Sequence, residues 1–91
     1  MKTLEIEKLV RQAICTILAP QKNGKVLNWK NLELTDHFYD DYEADSLSTL
    51  ELVMELEDIF DIDLTSVGDF SKIDTVEDVV KVIEKIKNEQ T

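Results

Sequence analysis

Residues that break helices or staple loops are scarce in this chain: its 91 residues include two Gly, one Pro and one Cys. With so few breakers and ample Leu, Ile and Val, the composition describes a mostly helical globule and not a disordered tail. A single cysteine excludes an internal disulfide and predicts a reducing, cytoplasmic setting. There is one histidine, His37. With no Cys or second His near it, it reads as a surface or turn residue and not as a metal ligand. No apolar run approaches membrane-spanning length, and Met1-Lys2-Thr3-Leu4-Glu5 opens into a charged helical pattern. Neither a membrane span nor a signal peptide is therefore expected. Cations are the minority charge, ten against twenty acids, for a formal net charge of −10. That balance repels phosphate backbones, argues against a nucleic-acid partner and favours basic protein surfaces. The expectation is one domain over residues 1–91, with a core over 3–87, a tail that frays after Lys87, and no demand for more than a monomer.

The shortage of cations is local. From Asn31 to Ser71 there are thirteen Asp or Glu and no Lys or Arg, with six basic residues before that window and four after it. Such a run is either a solvated face or an address that basic partners read, and the complete exclusion of cations favours the second.

Residues Leu4 to Leu18 read as an amphipathic helix, with Ile6, Leu9, Val10, Ala13, Ile14 and Ile17 on one face and Pro20 as its stop. Cys15 falls opposite that face near Lys8 and Arg11, cations that could lower a thiol's pKa, but it reads as an incidental surface thiol. Gln21 to Lys25 is a polar loop with a turn signal at Asn23-Gly24. From Val26 to Ala44 the pattern is irregular. Trp29, Leu32, Leu34, Phe38 and Tyr42 serve as apolar anchors for a long ordered loop, and a short helical turn is expected at Thr35 to Phe38. A second helix is predicted from Ser46 to Phe60, capped by Asp45 or Ser46, with Leu52, Val53, Leu56, Ile59 and Phe60 on its core side. Leu47 and Met54 fall elsewhere, among Glu51, Glu55 and Asp58. That leaves either a docking surface or a helix buried on several sides. Asp61 to Leu64 reads as an extended break, and Thr65 to Ile73 as a loop with a short helix. Thr75 and Asp78 form a capping box for a last helix whose stripe is Val76, Val79, Val80, Ile83 and Ile86.

Three chemistries compete for the stretch Glu43-Ala44-Asp45-Ser46-Leu47-Ser48 and the acids around it. Calcium loops fail on spacing. One begun at Asp61 has Ser66 where Gly is needed and Lys72 where a bidentate Glu is needed, and one begun at Asp41 has Ser46 and Leu52 there. A serine hydrolase fails too, because Ser46 lacks the glycines of a nucleophile elbow, only His37 could serve as base, and no Gly-rich segment offers an oxyanion hole. The third reading makes Ser46 a substrate. A serine at a helix start is accessible, and a phosphodiester there would lie near the positive end of the helix dipole.

Asp45-Ser46-Leu47, followed by Glu51-Leu52-Val53-Met54-Glu55-Leu56-Glu57, closely resembles the acyl carrier protein family. The resemblance continues through Phe60-Asp61-Ile62-Asp63-Leu64 and Lys72-Ile73-Asp74-Thr75-Val76-Glu77-Asp78. Upstream, Phe38-Tyr39-Asp40-Asp41-Tyr42 fits the approach to the serine. The resemblance implies an all-α four-helix bundle, with three main helices, a short third helix and a long first loop, whose interior can shelter a chain. It implies a 4′-phosphopantetheine arm on Ser46, installed from coenzyme A by a phosphopantetheinyl transferase whose reaction supplies its own magnesium. The arm's thiol would carry acyl groups as thioesters between fatty-acid-type enzymes. The protein would catalyse nothing and hold no metal of its own. Asp45 would assist recognition. Leu47, Glu51, Met54, Glu55 and Asp58 match the face that acyl-transfer, condensing and reducing enzymes read through basic patches.

Two departures stand out. Glu43 occupies a position where the family usually has Gly, which tolerates backbone conformations that Glu resists. The segment from Pro20 to Asp36 is also long, and Trp29 has no family counterpart. Both features point to a specialised carrier for polyketide, lipid or peptide-like intermediates as the alternative cargo class. From a different class, the alternative is an unmodified acidic helical module.

Overall fold

The computed structural model describes residues 2–22, 24–42, 46–64 and 73–89. Helix α1, Thr3–Leu18, forms where the sequence places its apolar stripe: Ile6, Val10, Ala13 and Ile14 are buried, with Leu9 and Ile17 packed partly against the core. It ends at Ala19, whose φ of 44° is left-handed and whose N–H bonds the Cys15 carbonyl at 3.2 Å. A non-Gly residue there costs about 1–2 kcal/mol, and Pro20 next along cannot extend the helix.

The first connection corrects the all-α expectation in one detail. Two short strands, β1 (Gln21–Lys22) and β2 (Lys25–Val26), pair antiparallel, with Gln21 opposite Val26 and Lys22 opposite Lys25. Asn-Gly is the dipeptide that suits a two-residue hairpin connection, and Gly24 takes a φ of 77° that only Gly adopts without strain. The Leu27 N–H donates to the Pro20 carbonyl at 2.8 Å and extends the pairing. A 3-10 turn, Trp29–Asn31, follows, with the Asn28 side chain accepting from the Lys30 N–H at 2.9 Å, and it packs against α1.

A single-turn helix α2, Phe38–Asp41, lies three residues beyond its predicted position. The shift follows from Asp36, which is buried and engaged, so the helix starts after His37, whose N–H donates to the Asp41 carboxylate at 2.7 Å. Helix α3 runs Ser46–Phe60. Asp61 then turns left-handed (φ 52°), and the Ile62 N–H reaches back to the Glu57 carbonyl at 3.2 Å, a closure that ties off the last turn. Ile62 and Leu64 turn inward, and Asp61 and Asp63 outward. Helix α4, Val76–Glu89, buries all five residues of its predicted stripe and continues helical past Lys87 to Glu89. The short helix expected within residues 65–73 falls almost wholly outside the described residues.

α1 packs against both α3 and α4. Their inward faces, with Leu32, Phe38, Tyr42, Ile62 and Leu64 from the connections, make one buried apolar cluster. Among the described residues the fold is therefore helical, with three long helices and a single-turn α2. Among the described residues, no helix is long and apolar enough to cross a membrane.

Candidate functional site

The segment leading toward Ser46 is fastened to the start of α4. The four N-terminal amides of a helix lack intrahelical partners, and here the loop supplies several. The Val76 N–H donates to the Asp36 carbonyl at 3.2 Å, and the Glu77 N–H to the Leu34 carbonyl at 2.9 Å. In return the Phe38 N–H donates to the Asp74 carbonyl at 2.9 Å, and His37 and Thr75 form an antiparallel bridge. The predicted capping box completes the set. The Asp78 N–H donates to the Thr75 hydroxyl at 3.2 Å, and the Asp78 carboxylate accepts from the N–H groups of Asp74 and Thr75 at 3.0 and 3.1 Å. Burial works against the charged form of Asp78, but hydrogen bonds from Asp74 and Thr75, with the nearby Lys81 charge, outweigh it and hold the carboxyl below its ordinary value.

Asp36 is the buried carboxylate of this joint. One of its oxygens accepts from the Glu33 N–H at 3.1 Å and from the Tyr42 hydroxyl at 2.7 Å. Burial raises the Tyr42 hydroxyl well above its ordinary value, and the bond to Asp36 reinforces the shift. The ring of Tyr42 meets Phe38 edge-on, with centroids 6.1 Å apart at 67°. Tyr42, read from sequence as an apolar anchor, thus also fixes a charge.

The backbone of Ser46 opens α3, where the sequence places the helix start. The expected cap, Asp45 or the Ser46 side chain, lies outside what is described. At about 100° per residue, Leu47, Glu51, Met54, Glu55 and Asp58 share the face opposite Leu52, Leu56 and Phe60. Leu47 and Met54 are 64 % and 59 % exposed, Glu51 and Asp58 are exposed, and Glu55 is half-buried. The structure therefore gathers them in one strip, roughly 16 Å long by helical rise. Sequence reasoning missed Leu50, 56 % exposed on the same strip. Its signal was the i, i+3, i+7 spacing of Leu47, Leu50 and Met54. Three large apolar side chains standing in water among carboxylates suit contact with another protein better than solvation alone.

Beneath the middle of α3, from Thr49 to Leu56, lies a small cavity of about 20 Å³. Its lining includes Phe38, Thr49, Leu52, Leu56, Val79 and Ile83, so apart from Thr49 it is apolar. The room at rest is little more than a water-sized group requires, and a guest chain would have to part α3 from α4.

One expectation changes and another holds. Cys15 is not an exposed surface thiol, and the cations on its helix face do not activate it. It is half-buried, its Sγ donates to the Leu27 carbonyl at 3.6 Å, and burial pushes its pKa up. The chain after the hairpin folds back over that side of α1 and covers it. His37 is exposed at the N-terminus of α2, in the turn where it was expected.

A family model described as "Phosphopantetheine attachment site" matches residues 8–83. The match spans most of the chain, which therefore belongs to that family, whose domain is the place of covalent 4′-phosphopantetheine attachment. The residues present fit such a group. A serine stands at the first position of a long helix, exposed apolar and acidic side chains lie beside it, and an apolar cavity opens one turn on at Thr49.

Proposed function

We propose that this member of the phosphopantetheine-attachment family is an acyl carrier protein, a single domain over residues 1–91 that carries its arm on Ser46 and serves fatty-acid-type enzymes. When bound, the arm supplies a terminal thiol that holds an acyl group as a thioester. The chain's own residues bind and present. The start of α3 places Ser46 where the helix's positive end favours a phosphodiester. Asp45 aids recognition by the phosphopantetheinyl transferase. Leu47, Glu51, Met54, Glu55 and Asp58 form the face that basic patches on acyl-transfer, condensing and reducing enzymes contact. The short third helix completes a four-helix bundle, and the protein acts in the cytoplasm as a substrate of other enzymes, not as a catalyst.

The observation that carries this reading is the exposed strip of α3 beginning one residue after Ser46, with the apolar cavity on the opposite side of the same helix. The near absence of polar lining favours hydrocarbon cargo. The hairpin and 3-10 turn in the long first connection favour the second reading, a specialised carrier for polyketide, lipid or peptide-like intermediates. An unmodified acidic module is the outcome if loading fails. Intact mass measured after incubation with coenzyme A and a broad-specificity transferase decides: one pantetheine adduct, absent from Ser46→Ala, is expected. An adduct that persists in Ser46→Ala moves the site, and no adduct on the native chain ends the carrier reading.

A further inference from the structure

The chain has two electrical ends, and the acidic strip uses only one. Before Asn31 there are six basic residues against Glu5 and Glu7; the thirteen-acid window follows. Several of these cations converge on one flank of α1. Lys8, Arg11 and Cys15, at i, i+3 and i+7, share a helix face. The chain returning from the hairpin covers it, with Leu27 bonded to Cys15 and Trp29 beside Lys8. Trp29, half-buried, has two ammonium groups near its ring, Lys8 Nζ and Lys30 Nζ, each 5.8 Å from the centroid. At the hairpin Lys25 is exposed beside Val26, itself 66 % exposed.

Apart from the Trp29 ring beneath Lys8 and Lys30, these cations are not neutralised. Among the described residues, no carboxylate forms an ion pair with Lys8, Arg11, Lys25 or Lys30. Arg11 Nε is buried without a hydrogen-bond partner, a condition that costs free energy. In a chain of net charge −10, unpaired cations collected on one flank run against the general field.

We propose that the strap from Lys25 to Lys30, with the exposed Lys8 of α1 beside it, is a second docking surface that takes an acidic segment of a partner protein. Charge complementarity selects an anionic occupant, and the acidic window beside the patch selects a narrow segment over an extended sheet of charge. Glu33, exposed three residues past Lys30, begins the acidic window. An anionic bilayer or a nucleic-acid strand broad enough to cover the patch would meet that window within a Debye length or so, about 8 Å at physiological salt. A single acidic segment can lie on the cations alone. Trp29 is also poorly placed to enter a bilayer, because its ring is held between the strap and α1 with lysines over it. It is better placed as a rigid, partly apolar floor for a bound segment. The surface is separate in sequence and chemistry from the α3 strip, so both could be occupied together, and the inference does not depend on modification of Ser46.

Trp29 is the only tryptophan in the chain, so tryptophan emission, excited at the red edge where the two tyrosines do not absorb, reports on this patch alone. The unmodified protein is titrated at low salt with a fluorescently labelled oligo-glutamate peptide, and in a parallel arm with vesicles of one part phosphatidylserine to two parts phosphatidylcholine. Tryptophan emission and peptide anisotropy are read together. The expected result is a saturable change in both signals with the peptide, lost near 1 M salt where the Debye length falls to about 3 Å, and no change with vesicles. Lys8→Gln with Lys30→Gln should weaken peptide binding about tenfold. Lys25→Gln should weaken it less, with unaltered circular dichroism and unaltered coenzyme A-dependent loading in both variants. Absence of peptide binding, binding that the double variant retains in full, or a response to vesicles in place of peptide would each overturn the proposal.

Discussion

The hydroxyl of Tyr42 donates a 2.7 Å hydrogen bond to the carboxylate of Asp36, and both residues are buried. This pair joins the segment before Ser46 to the joint at the head of α4, because the Asp36 carbonyl also accepts from the Val76 N–H. Tyr42→Phe keeps the ring on Phe38 but takes a donor from a buried carboxylate. Hydrogen bonds to charged groups contribute about 1.5–3 kcal/mol, and the remaining Glu33 N–H places the loss at the low end. That is roughly 6–12 °C in Tm for a domain of this size. The sign with pH is fixed as well. A tyrosine whose folded pKa is raised stabilises fully below its unfolded value, about 10, and loses that contribution as pH rises beyond it. Thermal melts should show an alkaline decline that is shallower in Tyr42→Phe; identical declines would mean the hydroxyl is not coupled to folding.

Asp78 closes the cap of α4 with its carboxylate on two amides. Asp78→Asn keeps an acceptor for those amides and should cost only the charge's share, about 0.3–1 kcal/mol at neutral pH, the scale of a carboxylate at a helix N-terminus. Because the folded carboxyl is held below its ordinary value, its contribution is present above about pH 4 and disappears as pH falls through the lowered value. The stability gap between native and variant chains, measured by urea titration, should therefore be full at neutral pH and close in acid. A gap independent of pH would assign the effect to geometry and not to charge.

The parts legible in the sequence were those set by local spacing. Thr75 and Asp78 announced their cap because the motif is complete within three residues. Leu52, Leu56 and Phe60 announced the buried side of α3, and that alone placed Leu47 and Met54 outside. What escaped was set by chain return. Nothing within six residues says that Asp36 will meet the Tyr42 hydroxyl and not water, since that depends on both being buried by distant parts of the chain. Helical geometry put Cys15 opposite the core stripe, and it is. Yet Leu27 comes back over that face, which no periodicity in α1 could foretell. Asn23-Gly24 marked a turn, but strands of two residues are too short to show alternation.

Cys15 offers a direct check on that covered face. The thiolate is the reactive form, and burial has raised its pKa. Alkylation by iodoacetamide near neutral pH should therefore run roughly tenfold slower, or more, than for a free thiol, and recover the free rate in urea. The consequence is practical: a thiol reagent applied to the loaded protein should mark the arm well before the chain. Rapid labelling of the folded, unloaded protein would show that the strap does not seal this side of α1.

The acidic strip can be tested apart from the fold, because Glu51 and Asp58 are exposed and Glu55 only half-buried. Replacing all three with Lys should raise the KM of the transferase for this protein at least about tenfold, since each exposed charge pair contributes up to about 1 kcal/mol and the change repels where it once attracted. The kcat should move little, because the serine and the apolar contacts of Leu47 and Met54 remain. Salt should affect the two proteins oppositely, weakening docking of the native chain by screening attraction and improving that of the variant. Folding should hold or gain, as the window of thirteen acids loses part of its self-repulsion. A fall in kcat at unchanged KM would move these residues from docking to positioning of the serine, and equal salt responses would remove the electrostatic basis of recognition.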